Sequence, residues 1–419
     1  MTTHPPFCRR RQRLRPACAG LLRAVLAIAS LLASLPATAR GEASWPRFLG
    51  PSGDGSATAP LPTELSAASR KWSVDLPGRG LSGVLVDGGL LFVTCSSGPE
   101  QSRLHVLCLD PADGAVKWQR QFQATGRTMC HEKTSVAAPT PVSDGGLVYA
   151  VFSSNDVICL DREGDVRWLR GLTADYANVS NSLGMASSPV ASRGTLVVQV
   201  ENDSESYCLG LDGSSGANRW RIDRPKAANW TSPALLRPDL VALQSKNGID
   251  AVRVDDGSVA WSYDGGASTI PSSCLHAGVL CVPSQGITAL ELDAADAARP
   301  PRQKWRTSRL SPGTPTPIAA AGRVYTISGG NVLTAGGLAD GERLWQLRME
   351  GPFSATPVTD GRHVACVSEK GLVQIVDVTG AEGKVVSTLD IDDTILASPV
   401  LVDGAVYLRS NTKLHKIGR

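Results

Sequence analysis

A recurring Gly-x-x-x-Trp unit constrains this chain more than any other feature. The pairs are Gly114/Trp118, Gly164/Trp168, Gly216/Trp220, Gly257/Trp261 and Gly341/Trp345, in a chain that holds only nine Trp. Trp72 opens the series and Trp305 keeps its phase after a longer turn, giving successive spacings of 46, 50, 52, 41, 44 and 40 residues. Self-similarity at such a period marks a repeat architecture, in which each unit buries its apolar faces only by stacking on its neighbours.

A second signature lies between the Trp residues. It reads roughly small-x-Pro-Val, two residues, Asp-Gly, then an alternating apolar strand, as in "TPVSDGGLVYAV", "SPVASRGTLVVQV", "TPIAAAGRVYTI", "TPVTDGRHVACV" and "SPVLVDGAVYLR". Degenerate copies at "SGVLVDGGLLFV", "SPALLRPDLVAL" and "SSCLHAGVLCV" bring the number to eight. Each unit therefore reads as a strand, a tight turn, a second strand, a loop, a third strand ending in Leu-Asp, a Gly turn and a Trp-bearing fourth strand. Alternation with turn residues at this spacing is the pattern of hairpins, and four antiparallel strands in roughly 40–50 residues make one propeller blade.

The ends of the repeat predict how the ring closes. The last unit, residues 395–417, has three strands and no Trp strand, whereas Arg70-Lys71-Trp72-Ser73-Val74 is a Trp strand without the preceding three. The expected fold is all-β: an eight-bladed β-propeller of four-stranded antiparallel blades, closed by pairing of the N-terminal strand with the C-terminal blade. Such pairing removes exposed sheet edges. Trp72, Trp118, Trp168, Trp220, Trp261, Trp305 and Trp345 are expected to be structural, each covering the gap between adjacent blades. The seventh blade departs from the rule, with Lys384-Val385-Val386 where Trp should stand.

Three regions follow: residues 1–39 as a signal peptide, 40–69 as an N-terminal segment and 70–419 as the propeller. The leader has a basic stretch, an apolar run from about Leu21 to Leu35 and a small-x-small site at Ala37-Thr38-Ala39, the pattern of a secretory signal. Arg23 interrupts the run, which is short for a membrane span. Arg10 and Arg11 leave the twin-arginine and general export routes both open. Residues 1–39 hold six Arg and no acid, so the rest carries 36 basic and 39 acidic residues. A slightly acidic body argues against nucleic acid as a partner. The expected location is periplasmic or secreted, with no transmembrane segment after signal removal, and the expected state is a monomer. Cys95, Cys108, Cys130, Cys159, Cys208, Cys274, Cys281 and Cys366 remain after the leader, none in C-x-x-C spacing. Without that spacing, neither a zinc ribbon nor a haem attachment site is indicated. Buried free thiols are expected, although an oxidising compartment permits disulfides.

The Gly-x-x-x-Trp units resemble the repeat shared by quinoprotein alcohol dehydrogenases and the outer-membrane assembly factor BamB, over nearly all of residues 45–417. The chain is most similar to secreted PQQ-like repeat proteins of planctomycete-type bacteria. Trp45-Pro46-Arg47-Phe48-Leu49-Gly50-Pro51 resembles their "W-P-x-F-x-G-P" signature, and Cys130-His131-Glu132-Lys133-Thr134-Ser135 also looks like that group. The resemblance implies an eight-bladed fold and export, without implying a bound quinone. Quinoprotein dehydrogenases hold their cofactor with a stacking Trp, calcium, a base Asp and usually a disulfide between adjacent Cys. This sequence has no Cys-Cys pair, and no region matches the calcium and base residues.

Other chemistry is equally absent: no metal-binding His pair, no Gly-x-Ser-x-Gly elbow and no phosphate loop. The longest connections precede blades two, three and four: "QATGRTMCHEKTS", "LTADYANVSNSLG" and "RPKAANW". Connections of one kind emerge on one face of a propeller, where functional residues concentrate. This places His131, Glu132, Lys133, Asp175, Tyr176, Asn178, Asn181, Asn229 and Trp230 near one mouth of the channel, with Glu201, Asn202 and Asp203 as possible oxygen ligands for a hard cation. The expected function is a non-catalytic binding or scaffolding module with a protein partner in the cell envelope and no cofactor. The alternative is a dehydrogenase using pyrroloquinoline quinone with calcium.

Overall fold

Within each repeat, alternating apolar residues and Gly-containing turns produce a four-stranded meander. In the first complete one, Leu85–Asp87, Leu90–Ser97, Arg103–Leu109 and Val116–Gln123 pair in sequence order. The computed structural model describes residues 43–177, 183–296 and 299–419. Among them are eight four-stranded antiparallel sheets, with helix confined to three short 3-10 turns. Consecutive sheets form blades 1 to 7 from residue 85 to residue 390. The eighth is made of Val400–Val402, Ala405–Arg409 and Lys413–Gly418, with Arg70–Asp75 as its outer strand. Trp72 pairs with Lys416 and Val74 with Leu414. The ring thus closes as the missing strands predict.

The burial pattern of each blade follows its position. The second and third strands are buried on both faces, as in Val148–Leu160 of blade 2, because adjacent blades cover both sides. The outer strands alternate exposed and partly buried residues, as Val116–Gln123 does. All eight outer strands carry a bulge or register shift near the position that holds Trp in seven of them. A bulge locally increases twist.

The Gly and the Trp of the repeat serve neighbouring blades. Gly164 has φ +87°, and a Cβ there would lie 2.6 Å from the ring of Trp118, one blade back. Gly257, at φ +75°, stands in the same way 2.8 Å from Trp220. Both positions combine a left-handed backbone with contact too close for any side chain. The indole N–H then donates to a carbonyl of the same turn: Trp118 to Arg162 at 2.7 Å, Trp168 to Gly213 at 2.8 Å, Trp220 to Val254 at 2.8 Å and Trp305 to Leu338 at 2.9 Å. Trp72 closes the circle by donating to Pro111 O at 3.2 Å. Each of these five aromatics therefore joins two blades by apolar contact and a hydrogen bond. Trp345 departs from this. It packs on Gly383, but its buried Nε1 finds no acceptor in the longer turn of blade 7.

The segment ahead of the closing strand is part of the ring. Trp45 pairs with Val86 of blade 1, and Pro46 O accepts the Ser143 N–H of blade 2. The chain then crosses the axis. Gly53 O meets Leu275 of blade 5, Asp54 O meets Ala319 of blade 6, and Gly55 meets Thr359 of blade 7. The Trp-Pro-x-Phe stretch therefore spans the ring on the face that carries the tight turns.

Candidate functional site

A cavity of about 430 Å³ occupies the axis. Its floor is Phe48, delivered by the crossing N-terminal segment. Its wall is a belt of small residues, one per blade: Gly83, Thr140, Ser188, Ser232, Ser272, Thr316, Thr356 and Ser398. These stand at the entrance of each innermost strand, and they explain the small residue in the second repeat signature. Seven of the eight backbone N–H groups donate to the hydroxyl of the next blade: Gly83 to Thr140, Thr140 to Ser188, Ser188 to Ser232, Ser232 to Ser272, Ser272 to Thr316, Thr316 to Thr356 and Thr356 to Ser398, all at 2.9–3.1 Å. Innermost strands converge on the axis, so their first N–H groups lack strand partners. The hydroxyl belt satisfies them. Gly83 is the one position that supplies no hydroxyl.

The opposite end of the cavity is its mouth. His131, Lys133 and Thr134 approach it from the loop before blade 2, Leu183 from the loop before blade 3, Trp230 from that before blade 4 and Ile270 from that before blade 5. Lys133 reaches across to Glu369 of blade 7 at 3.0 Å, where Ser354 also donates at 2.7 Å. His131 Nδ1 accepts the Lys133 N–H at 3.1 Å, which leaves the ring proton of the neutral form on Nε2. The Trp230 indole donates to Gly184 O at 2.8 Å. Leu183 and Ile270 remain 43% and 50% exposed at the rim, although both are large and apolar. The Thr134 hydroxyl lines the cavity without a hydrogen-bond partner.

The structure separates the residues that the long loops brought into consideration. His131, Lys133 and Trp230 line the cavity, and Glu132 sits on the same loop with its carbonyl bound by Arg79. Asp175 and Tyr176 lie toward the outer strands instead. Asp175 pairs with Arg170 at 2.6 Å, while Tyr176 packs against Tyr207 with ring centroids 4.6 Å apart and accepts a bond from Asn218 at 2.7 Å. Asn178 and Asn181 lie outside the described residues. Glu201 and Asn229 are each only 2% exposed. Arg224 Nε donates to Glu201 Oε1 at 2.7 Å and Asn229 Nδ2 to Glu201 Oε2 at 2.9 Å. Burial pushes the Glu201 carboxyl up, against the opposing effect of Arg224. Both Glu201 oxygens are thus committed to protein donors, and Asn202 bonds its own loop through Ser204 and Glu205. Sequence reasoning missed the hydroxyl belt, Phe48, Leu183, Ile270 and Glu369. The first two had a signal in the small-x-Pro and Trp-Pro-x-Phe motifs. Leu183, Ile270 and Glu369 had none.

The floor is fastened by two carboxylates. Asp54 accepts bonds from Ser56 at 2.7 and 2.9 Å and meets His276 Nδ1 at 2.8 Å. Asp360 accepts the N–H groups of Leu61, Arg362 and His363 at 2.9, 2.8 and 2.6 Å. Burial pushes both carboxyls upward, but these donors outweigh it and hold both below the ordinary value. A carboxyl depressed by folding adds stability that is present above its unfolded pKa and is lost as pH falls through the folded one. The floor segment is therefore expected to loosen as pH drops below about 4. The check is proteolysis of residues 43–61 across pH, with Asp54→Asn/Asp360→Asn as the variant whose cleavage no longer depends on acid.

Comparison with known proteins places this geometry. A family model described as "Outer membrane protein assembly factor BamB" matches residues 63–209, 180–299 and 291–412, most of the chain. The chain belongs to the BamB-type PQQ-like repeat family. This propeller is 27% identical to BamB of Salmonella typhimurium over 187 residues, which are 44% of this chain and 43% of that one. It thus aligns with less than half the length of that curated relative. Among solved structures, BamB from Moraxella catarrhalis superposes with a TM-score of 0.61 at 18% identity, covering 85% of this chain and 97% of that one. Quinohemoprotein alcohol dehydrogenase from Comamonas testosteroni gives 0.67 at 14% identity over 90% of this chain and 80% of that one. At such identities the superpositions establish the shared propeller fold.

Proposed function

We propose that this PQQ-like repeat propeller is a non-catalytic binding module of the cell envelope that captures a protein partner at the mouth of its plugged channel. The observation that carries the reading is the composition of that mouth. Leu183, Ile270 and Trp230 make an apolar collar beside Lys133, on a cavity floored by Phe48. Exposed apolar residues rimmed by polar ones mark protein interaction sites, and a half-buried Trp in a concave setting is a favourable anchor. The BamB relatives support the same reading. Export through the N-terminal leader belongs to the proposal. Among the described residues no helix is long and apolar enough to cross a membrane.

The donor set of the cavity does not favour the quinone alternative. Pyrroloquinoline quinone is a polycarboxylate, and its calcium needs several carboxylate or amide oxygens. Among the described residues the lining contains no Asp, Glu, Asn, Gln or Arg, and its one ammonium, Lys133, is paired with Glu369. The wall hydroxyls already accept main-chain hydrogen bonds. These residues do not fit the quinone and its metal.

Placing a charge on the collar tests the binding reading. Leu183→Asp and Ile270→Asp are expected to weaken partner capture at least 10-fold, the consequence of losing about 1.4 kcal/mol of contact. Both side chains are about half exposed, so the melting temperature should barely change. Capture that survives both changes in folded protein would contradict the assignment of the mouth.

A further inference from the structure

Blade 5 carries a thiol pair that the mouth does not use. Cys274 and Cys281 are directly opposite each other on the two innermost strands of that blade, Cys274–His276 and Val279–Ser284. The register is pinned by the two-residue turn Ala277-Gly278, whose φ values of +48° and +76° match the hairpin turn with both central residues left-handed. Opposed residues of an antiparallel pair have Cα atoms about 4.5–5.5 Å apart, inside the roughly 4.4–6.8 Å range spanned by disulfides. Side chains of such a pair also point to the same face of the sheet. Both thiols are fully buried. The Cys281 thiol beside it, together with burial, holds the Cys274 thiol well above its ordinary value.

We propose that Cys274 and Cys281 are joined by a cross-strand disulfide formed before blade 5 is enclosed by its neighbours. Two S–H bonds break and one S–S bond forms. The two electrons and two protons pass to an oxidant of the disulfide class, whose own S–S bond is reduced to two thiols. In the cell this needs an oxidising compartment, which the export reading supplies. The timing follows from burial, because exchange needs an accessible thiol and the folded blade buries both sulfurs. Once formed, the bond is shielded from reductants by the same burial. Its position gives it a role, since the hairpin it staples is the seat of the floor segment. Leu275 N–H donates to Gly53 O, and His276 meets Asp54 at 2.8 Å.

The test is carried out in vitro, so its outcome is independent of where the protein resides. The full chain is unfolded under reducing conditions, refolded with oxidised and reduced glutathione, then denatured and alkylated before peptide mapping. No Lys or Arg separates the two cysteines, so both fall in one tryptic peptide. The expected result is that this peptide takes up no alkyl group and is lighter by two hydrogens, and that it takes up two alkyl groups after reduction. A parallel sample of folded reduced protein, given the same glutathione mixture without unfolding, should remain in the dithiol form for at least 10-fold longer. Two alkyl groups on the refolded, unreduced peptide would overturn the proposal. A bond from either residue to any other cysteine would do the same.

Discussion

A chain lacking residues 43–76 is expected to lose cooperative unfolding altogether. The deletion removes the outer strand of blade 8, the Trp72 contact with the Gly114 turn of blade 1, and the floor of the cavity. Any one large core truncation costs about 2–5 kcal/mol, and domains of this kind are stable by only about 5–15 kcal/mol. The removal of a whole strand leaves the Lys413–Gly418 ladder as an exposed edge, which invites pairing with other chains. Size-exclusion chromatography should show aggregates, and thermal scans no sharp transition. Deletion of residues 43–61 alone spares the strand, and should leave a folded ring with a lower melting temperature and a channel open at both ends. A long deletion that melts like the intact chain would show that ring closure contributes nothing.

Breaking the buried ion pair of blade 3 should have the next largest effect. Arg224 and Glu201 have side chains 2% and 1% exposed, and their 2.7 Å contact is supported by Asn229. Removing one partner from such a pair strands a charge in the interior, at a cost of about 3–5 kcal/mol. Glu201→Ala and Arg224→Ala are each expected to lower the unfolding free energy, read from denaturant curves, by that amount. The double substitution Glu201→Leu/Arg224→Met should recover much of it, because no charge then remains in the interior, and Asp250, the other partner of Arg224, is about one-third exposed and keeps its bond from Ser262. Equal losses in the double and single variants would mean that packing, rather than charge, dominates this site.

The contrast between Glu201 and Lys133 shows what the sequence could reveal. The fold was legible because a propeller repeats its solution: the Gly-to-Trp spacing, the Asp-Gly turns and the unpaired strands at both ends each encode one local requirement. Even Trp345, whose indole N–H lacks an acceptor, keeps its place against Gly383. The site was legible only as far as the face of the ring. Polar residues in long loops look alike in sequence, whether they reach the axis, as Lys133 does, pack outward, as Tyr176 does, or satisfy an interior charge, as Asn229 does. The direction of each loop depends on contacts between blades far apart in the chain, such as Lys133 with Glu369, 236 residues away. The hydroxyl belt was hidden for another reason. Its members are single small residues whose meaning emerges only when eight strands converge on one axis.

The most direct test of the binding account is site-specific photocrosslinking in the native cell envelope, with a photoreactive side chain at Leu183 or Ile270 and, for comparison, at Asp144 on the face of the tight turns. The account predicts a discrete protein adduct from both mouth positions, absent from Asp144 and lost when the collar residue not carrying the probe is changed to Asp. An adduct from Asp144 with none from the mouth would contradict it.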